Sequence, residues 1–197
     1  MKVLIACEFS GTVRRAFRAL GHDAWSCDLL PAEDGSEFHY QCDMREVVGM
    51  DWDFVGYHCD CRVMANSGVR WLYEKPGRWD ELKTAAAFFQ TALDDKRPGY
   101  VENSVMHKHA KALISREQDQ VIQPWHFGEP RFKATCLWLR GGIAPLEATN
   151  KLTPPERGTD EHKAWSAVHR ASPGPNRWKE RSRTFPGIAA AMAKQWG

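Results

Sequence analysis

Along the first hundred positions, short apolar runs alternate with stretches whose apolar residues recur at helical steps. "KVLIAC" (2–7) has the length of a strand, and after "EFSG" the residues Val13, Ala16, Phe17 and Leu20 return every three or four positions until Gly21 stops the pattern. This predicts a strand, a turn and a helix. "DAWSCDL" (23–29), "FHYQCDM" (38–44) and "WDFVGYH" (52–58) predict three further strands, the first two closing near an acid. An amphipathic helix is predicted over 79–95, a strand over 98–104 ("PGYVENS") and a second helix over about 105–116. "DQVIQPWHFG" and "KATCLWLRG" read as a pair of strands joined by "EPRF", in an antiparallel arrangement. From 144 to 187 the periodicity fades into Pro, Lys, Arg and Gly, which predicts a long basic loop or flap, and "FPGIAAAMAKQW" predicts a closing helix. Strands alternating with helices make an α/β chain. Its expected form is a doubly wound, mostly parallel sheet with an antiparallel pair late in the chain, and its ligands belong beyond the carboxyl ends of the strands.

Composition changes this picture little. With 43% hydrophobic and 26% charged residues, the 197 positions suit one globular domain over 1–197. No apolar run approaches the roughly 18 residues of a membrane span, and the apolar part of "MKVLIACEFSG" is too short for a signal peptide, so no membrane partner and a cytoplasmic protein are expected. Six cysteines in that setting are read as reduced thiols, most of them small core residues. Charge changes the picture more. Residues 1–60 carry five Lys/Arg against eleven Asp/Glu, and 131–197 carry twelve against five. The acidic part suits a cationic or hydroxyl-rich small ligand and the basic part suits phosphates, although two ordinary solvated faces would give the same counts.

Candidate chemistry sits at the predicted strand ends. Gly11, where the first strand turns into a helix, lets backbone amides approach a ligand closely, and the helix N-terminus favours a carboxylate; plain turn chemistry uses a glycine in the same way. With one glycine there, the dinucleotide fingerprint is excluded. Asp28 and Asp43 fall where acids hold ribose hydroxyls or an adenine amino group in doubly wound folds, and helix capping is the other use of such acids. "HCDC" (58–61) fits a metal clip, a redox pair or a nucleophile loop. Structural zinc takes a second ligand pair further along, which is missing from this sequence, so no metal is expected, and a Cys-x-Cys disulfide would be strained. A nucleophile loop needs a cysteine on a tight turn and an acid at the neighbouring strand end, which "HCDC" and "VENS" supply. "RWKERSR" (177–183), after "SPGPN", is a basic run with an aromatic that grips phosphates or is simply solvated. Trp71, Trp79, Trp125 and Trp138 lie in apolar company and are read as core.

In this order and spacing the chain resembles the cytosine-5 DNA methyltransferases, most closely their compact phage-type members, over nearly its whole length. The likeness is carried by "EFSG" (8–11), by the fourth strand leading into "HCDC" and "ANSGVRWLY" (65–73), and by the strand end "ENS" (102–104). "QPWHFGEPRFKATCLWLRG" and "RSRTFPGIAAAMAKQWG" extend it. The resemblance implies a Rossmann-like fold of the S-adenosyl-L-methionine-dependent methyltransferase type. It places Phe9, Ser10 and Gly11 along the methionine part of that cofactor, and Asp28 and Asp43 at its ribose and adenine. It further implies that Cys61 is the nucleophile adding to carbon 6 of cytosine, that Glu102 is its acid partner at ring nitrogen 3, and that Asn103 orients the loop. Arg131 and Lys133 of "EPRFK", with Arg181 and Arg183 of the basic run, are the expected contacts to substrate, which is DNA or a cytosine nucleotide. A phage-encoded member would work in its host's cytoplasm. Where the relatives have two prolines before the cysteine, this chain has Cys59 and Asp60. The loop gains freedom, and the Asp60 carboxylate predicts a raised pKa for Cys61. A relative that only binds cofactor or nucleic acid, or altered base chemistry on the same fold, is therefore the alternative expectation.

Overall fold

A computed structural model of the chain describes every residue except 171–173 and 175–176, so most of "SPGPN" lies outside the described residues. Strand β1 (Lys2–Ala6) is central because Val3, Leu4, Ile5 and Ala6 are all fully buried, as a parallel strand covered on both faces requires. It pairs in parallel with β2 (Asp23–Asp28) on one side and β4 (Phe54–His58) on the other. Outside these run β3 (His39–Gln41), parallel to β2, and β5 (Gly99–Ser104), parallel to β4. Strand β7 (Thr135–Arg140) is antiparallel to β5, and β6 (Gln120–Ile122) is antiparallel to β7. The order is β3-β2-β1-β4-β5-β7-β6. This is the Rossmann-like, mostly parallel sheet, with its antiparallel pair late in the chain, that the sequence predicts.

Helices cover both faces. Alternation along the strands sends Phe54 and Tyr100 to one face, where α1 (Thr12–Ala19) and α9 (Pro186–Trp196) bury Phe17, Ile188 and Met192 against them. Val55, Tyr57 and Val101 go to the other face, under Leu82, Ala86 and Phe89 of α4 (Arg78–Asp94). Between β3 and β4, a capping box of Asp43 and Glu46 starts the single turn α2 (Met44–Val47). The turn α3 (Trp71–Glu74) precedes α4. Among the described residues no helix is long and apolar enough to cross a membrane.

Three expectations change. The helix expected over 105–116 is one turn, α5 (Lys108–Lys111), because the side chain of Gln90 on α4 captures both the amide and the hydroxyl of Ser115 at 2.9 Å. The basic stretch from 144 to 187 contains α6 (Asp160–Trp165), α7 (Ala167–Arg170) and α8 (Arg177–Ser182). Helices of one or two turns leave no periodic apolar face to read; α6 is announced only by its cap, Thr159, whose hydroxyl accepts from the His162 amide at 3.1 Å. Of the four tryptophans read as core, Trp138 is 1% exposed, whereas Trp79 is 39% exposed and Trp71 and Trp125 are half-buried. All six cysteines are free thiols, and Cys27, Cys59 and Cys136 are buried.

Candidate active site

The sheet order reverses between β1 and β4, so the loops leaving these strands part and open a crevice at their carboxyl ends. After β1 the chain passes Cys7 at φ 60, a left-handed conformation that a non-glycine residue rarely takes, and reaches Gly11 at φ 64. Gly11 is needed on two counts, since any Cβ there would also run into the Arg14 guanidinium. Between them lies Glu8, a buried residue that inspection of the sequence passes over. Its carboxylate accepts from the amides of Val13 at 2.7 Å and Arg14 at 3.2 Å and from the Ser10 hydroxyl at 3.4 Å. The first turn of α1 was expected to receive a ligand's negative charge; the protein's own carboxylate already caps it. Burial raises the Glu8 pKa, and the two amides and Arg14 oppose the rise. Phe9 is buried, with the Trp178 ring of α8 5.7 Å away. Ser10 is buried as well, its hydroxyl 3.2 Å from that of Thr12.

The two strand-end acids differ. Asp28 closes β2, uses Oδ1 to accept from the Leu30 amide at 3.0 Å, and leaves Oδ2 without a hydrogen bond among the described residues. Its pKa is raised by burial. Asp43 is the cap of α2, and Arg45 takes both of its oxygens, at 2.9 and 2.5 Å. Hydrogen bonds from Arg45 hold its pKa at about 2.

Across the crevice, the register of β4 and β5 sets His58 opposite Glu102. His58 Nε2 is 2.7 Å from the Tyr100 hydroxyl, and Nδ1 is 3.3 Å from the Thr184 hydroxyl and 3.9 Å from Glu102 Oε2. Burial, helped by the charge of Lys133, drives the His58 pKa down to about 3, so the ring is neutral near pH 7 and its contact with Glu102 is no ion pair. Burial pushes Glu102 the other way, to a raised pKa that Lys133 partly offsets. A small pocket lined by Glu102, Lys133, Thr135, Thr184 and Phe185 opens here, with Ile188 and Met192 of α9 completing its wall.

Cys61 is half-buried on the loop after β4, beside this pair. Its thiol pKa is raised, chiefly by burial and then by Glu102 and Asp60, while a hydrogen bond with Ser104 and the charge of Lys133 pull it down. The expected influence of Asp60 is present but ranks behind that of Glu102, and Arg62 grips the Asp60 carboxylate at 2.8 and 2.6 Å. Burial raises the Asp60 pKa, yet the hydrogen bonds of Arg62 outweigh it and leave it lowered. Hydrogen bonds restrain the loop in place of proline. Asn103 Nδ2 donates to the Cys59 carbonyl at 3.4 Å, the Ala65 amide donates to the Cys61 carbonyl at 2.8 Å, and His107 Nε2 lies 2.9 Å from the Val63 carbonyl. Asn103 is itself buried, and its Oδ1 has no partner among the described residues. No group of three His, Cys, Asp or Glu side chains suited to a metal occurs among the described residues.

The four expected substrate contacts are dispersed. Lys133 is in the pocket, donating to the Arg183 carbonyl at 2.9 Å. Arg183 pairs with Glu33, Arg131 turns back to the Pro130 carbonyl at 2.8 Å, and Arg181 is half-buried on α8. The stretch 177–185 thus acts as a strap: Trp178 packs on Phe9, Arg183 holds Glu33 and Thr184 meets His58. Neither Thr184 nor Tyr100 was a candidate from sequence, since what gives them their place is strand register and a contact 126 residues long.

No family model and no curated protein matches the chain. Among solved structures it is similar to the Entamoeba histolytica methyltransferase EhMeth, with 13% identity and a TM-score of 0.47 over 79% of this chain and 57% of that one. The chain thus spans little more than half the length of that protein, and the likeness carries no inference about chemistry.

Proposed function

We propose that the chain is an S-adenosyl-L-methionine-dependent methyltransferase acting on carbon 5 of cytosine, in DNA or in a nucleotide. The observation that supports this is that Cys61, on the loop after β4, lies close enough to Glu102 near the end of β5 for that carboxylate to raise its pKa, at the carboxyl ends of neighbouring parallel strands. The β1 loop carries the Phe9 ring and Gly11, both buried, and alongside lies Asp28, whose Oδ2 has no hydrogen bond among the described residues. Phe9, Ser10, Gly11 and Asp28 would hold the cofactor, which when bound supplies the methyl group. Asp43 reaches an adenine only by giving up Arg45.

On this reading the Cys61 sulfur adds to carbon 6 of the base, and Glu102, whose pKa burial raises, donates at ring nitrogen 3 from its protonated form. The addition leaves carbon 5 electron-rich. Neutral His58, 3.9 Å away, adds no positive charge beside the carboxyl, and Lys133 limits how far the carboxyl's pKa rises. One observation favours a second reading, a relative that binds cofactor or nucleic acid without turnover: a raised thiol pKa leaves little Cys61 thiolate near pH 7. The test is transfer of labelled methyl groups to DNA, oligonucleotides and cytidine nucleotides. Label is expected on carbon 5 of cytosine, absent in Cys61→Ser and reduced roughly 100-fold or more in Glu102→Gln. Calorimetric binding of the cofactor without transfer would support the second reading, and no cofactor binding would overturn the first.

A further inference from the structure

The residues that follow the Cys61 loop build an exposed aromatic corner. Tyr73 of α3 is 68% exposed and Trp79 of α4 is 39% exposed. Their rings lie 5.7 Å apart at 87°, and His109 of α5 closes the corner 5.1 Å from Trp79 and 6.1 Å from Tyr73. A 2.9 Å hydrogen bond between the Tyr73 hydroxyl and His109 Nε2 fixes it. Rings so arranged let a planar group stack on one while its edge meets the next.

Positive charge surrounds the corner. Arg70 and Lys75 sit over the Trp71 ring at 4.3 and 4.6 Å and are exposed, as is Lys108 beside His109. None of these three cations joins a salt bridge among the described residues; of the nearby carboxylates, Asp80 pairs with Lys83 and Glu81 with Arg78, and Glu74 lies next to Lys75. The corner is also tied to the pocket's loop: Arg78 donates to the Arg62 carbonyl at 3.2 Å, and His107, two residues before His109, holds Val63.

We propose that this surface docks a single polynucleotide strand, its bases stacking in the Tyr73–Trp79–His109 corner and its phosphates meeting Arg70, Lys75 and Lys108. Unpaired bases show the faces that such a corner needs, whereas a duplex hides them, and every nucleotide carries both a ring and a negative charge. The inference deepens the proposed function by choosing a polynucleotide over a free nucleotide, and it rests on that reading only for the link to the pocket.

The test is anisotropy of a labelled short oligothymidylate, which contains no cytosine, titrated with the full chain. Binding is expected, weakening roughly 5- to 150-fold in Tyr73→Ser. Arg70→Glu with Lys75→Glu should flatten the slope of log affinity against log salt by about 0.7 per cation removed. Since Tyr73 also bonds His109, Trp79→Ser serves as a second variant, with circular dichroism confirming the fold of each. No binding at low salt, equal binding by all variants, tighter binding of a duplex of the same length, or equal displacement by polyglutamate would each overturn the proposal. Oligothymidylate binding with no methyl transfer to a cytosine-containing oligonucleotide would keep the corner and sink the cytosine reading; methyl transfer to cytosine without oligothymidylate binding would keep that reading and sink the corner.

Discussion

A cysteine reacts as its thiolate, and at Cys61 the balance of neighbours decides how much of that form exists. Burial and Glu102 raise the pKa more than Asp60 does. Alkylation of Cys61 by iodoacetamide should therefore show a pH midpoint above the ordinary 9.0, and Glu102→Gln should lower it more than Asp60→Asn. A larger shift from Asp60→Asn would show that the adjacent carboxylate dominates after all. His58 makes a second prediction. Its folded pKa, about 3, lies below the ordinary 6.5, so protonation favours the unfolded chain. The stability that neutral His58 supports is full above pH 6.5 and is lost as pH falls toward 3. Denaturant titration should show native protein losing roughly 2 kcal/mol more than His58→Gln between pH 6.5 and about 5. Glu102, with its raised pKa, contributes with the opposite sign and is common to both proteins, so it drops out of the difference. Parallel curves would remove His58 from the acid response.

At the scale of elements, strands were legible where the runs are long and buried: β1, β2, β4, β5 and β7 fall within the stretches that periodicity predicts. The three-residue strands β3 and β6 were bracketed too broadly, and the end of α5 was hidden because a side chain on another helix sets it. Gly56 shows what spacing cannot reveal. A Cβ there would lie 2.7 Å from the Tyr100 ring, and Tyr100 carries the hydrogen bond to His58. Gly56→Ala should cost about 1–3 kcal/mol and should also raise the His58 pKa, read by NMR titration of the ring. A destabilised variant with an unchanged His58 would uncouple the two. At the opposite end of these strands, Arg140 bridges β4, β5 and β7 to the chain before β5. It is 5% exposed, donates to the carbonyls of Val55 at 2.5 Å, Asp95 at 3.1 Å and Arg97 at 3.2 Å, and pairs with the Asp95 carboxylate at 3.3 Å. Arg140→Ala leaves those three carbonyls short of a donor, while Tyr57 and Arg97 still hold the Asp95 carboxylate, and a loss of about 1–3 kcal/mol is expected in chemical denaturation.

For the whole molecule, the site was legible to the extent that it depends on residue type at a strand end. Cys61, Glu102 and Asp28 could be picked out in that way. His58, Tyr100, Thr184 and Glu8 could not, because their roles come from strand register, from burial and from a strap that starts more than a hundred residues after β4. That strap has a consequence in time. Translation makes Glu102 and His58 well before Thr184 and the α9 residues that wall their pocket, with about 80 residues separating Glu102 from Thr184. At roughly 5–20 residues per second, the ribosome leaves the pair open to water for roughly 4–16 seconds. During that interval the dry surroundings that lower the His58 pKa and raise that of Glu102 do not yet exist, and the nascent chain carries the residues of the candidate site without their environment until residue 184 has been made.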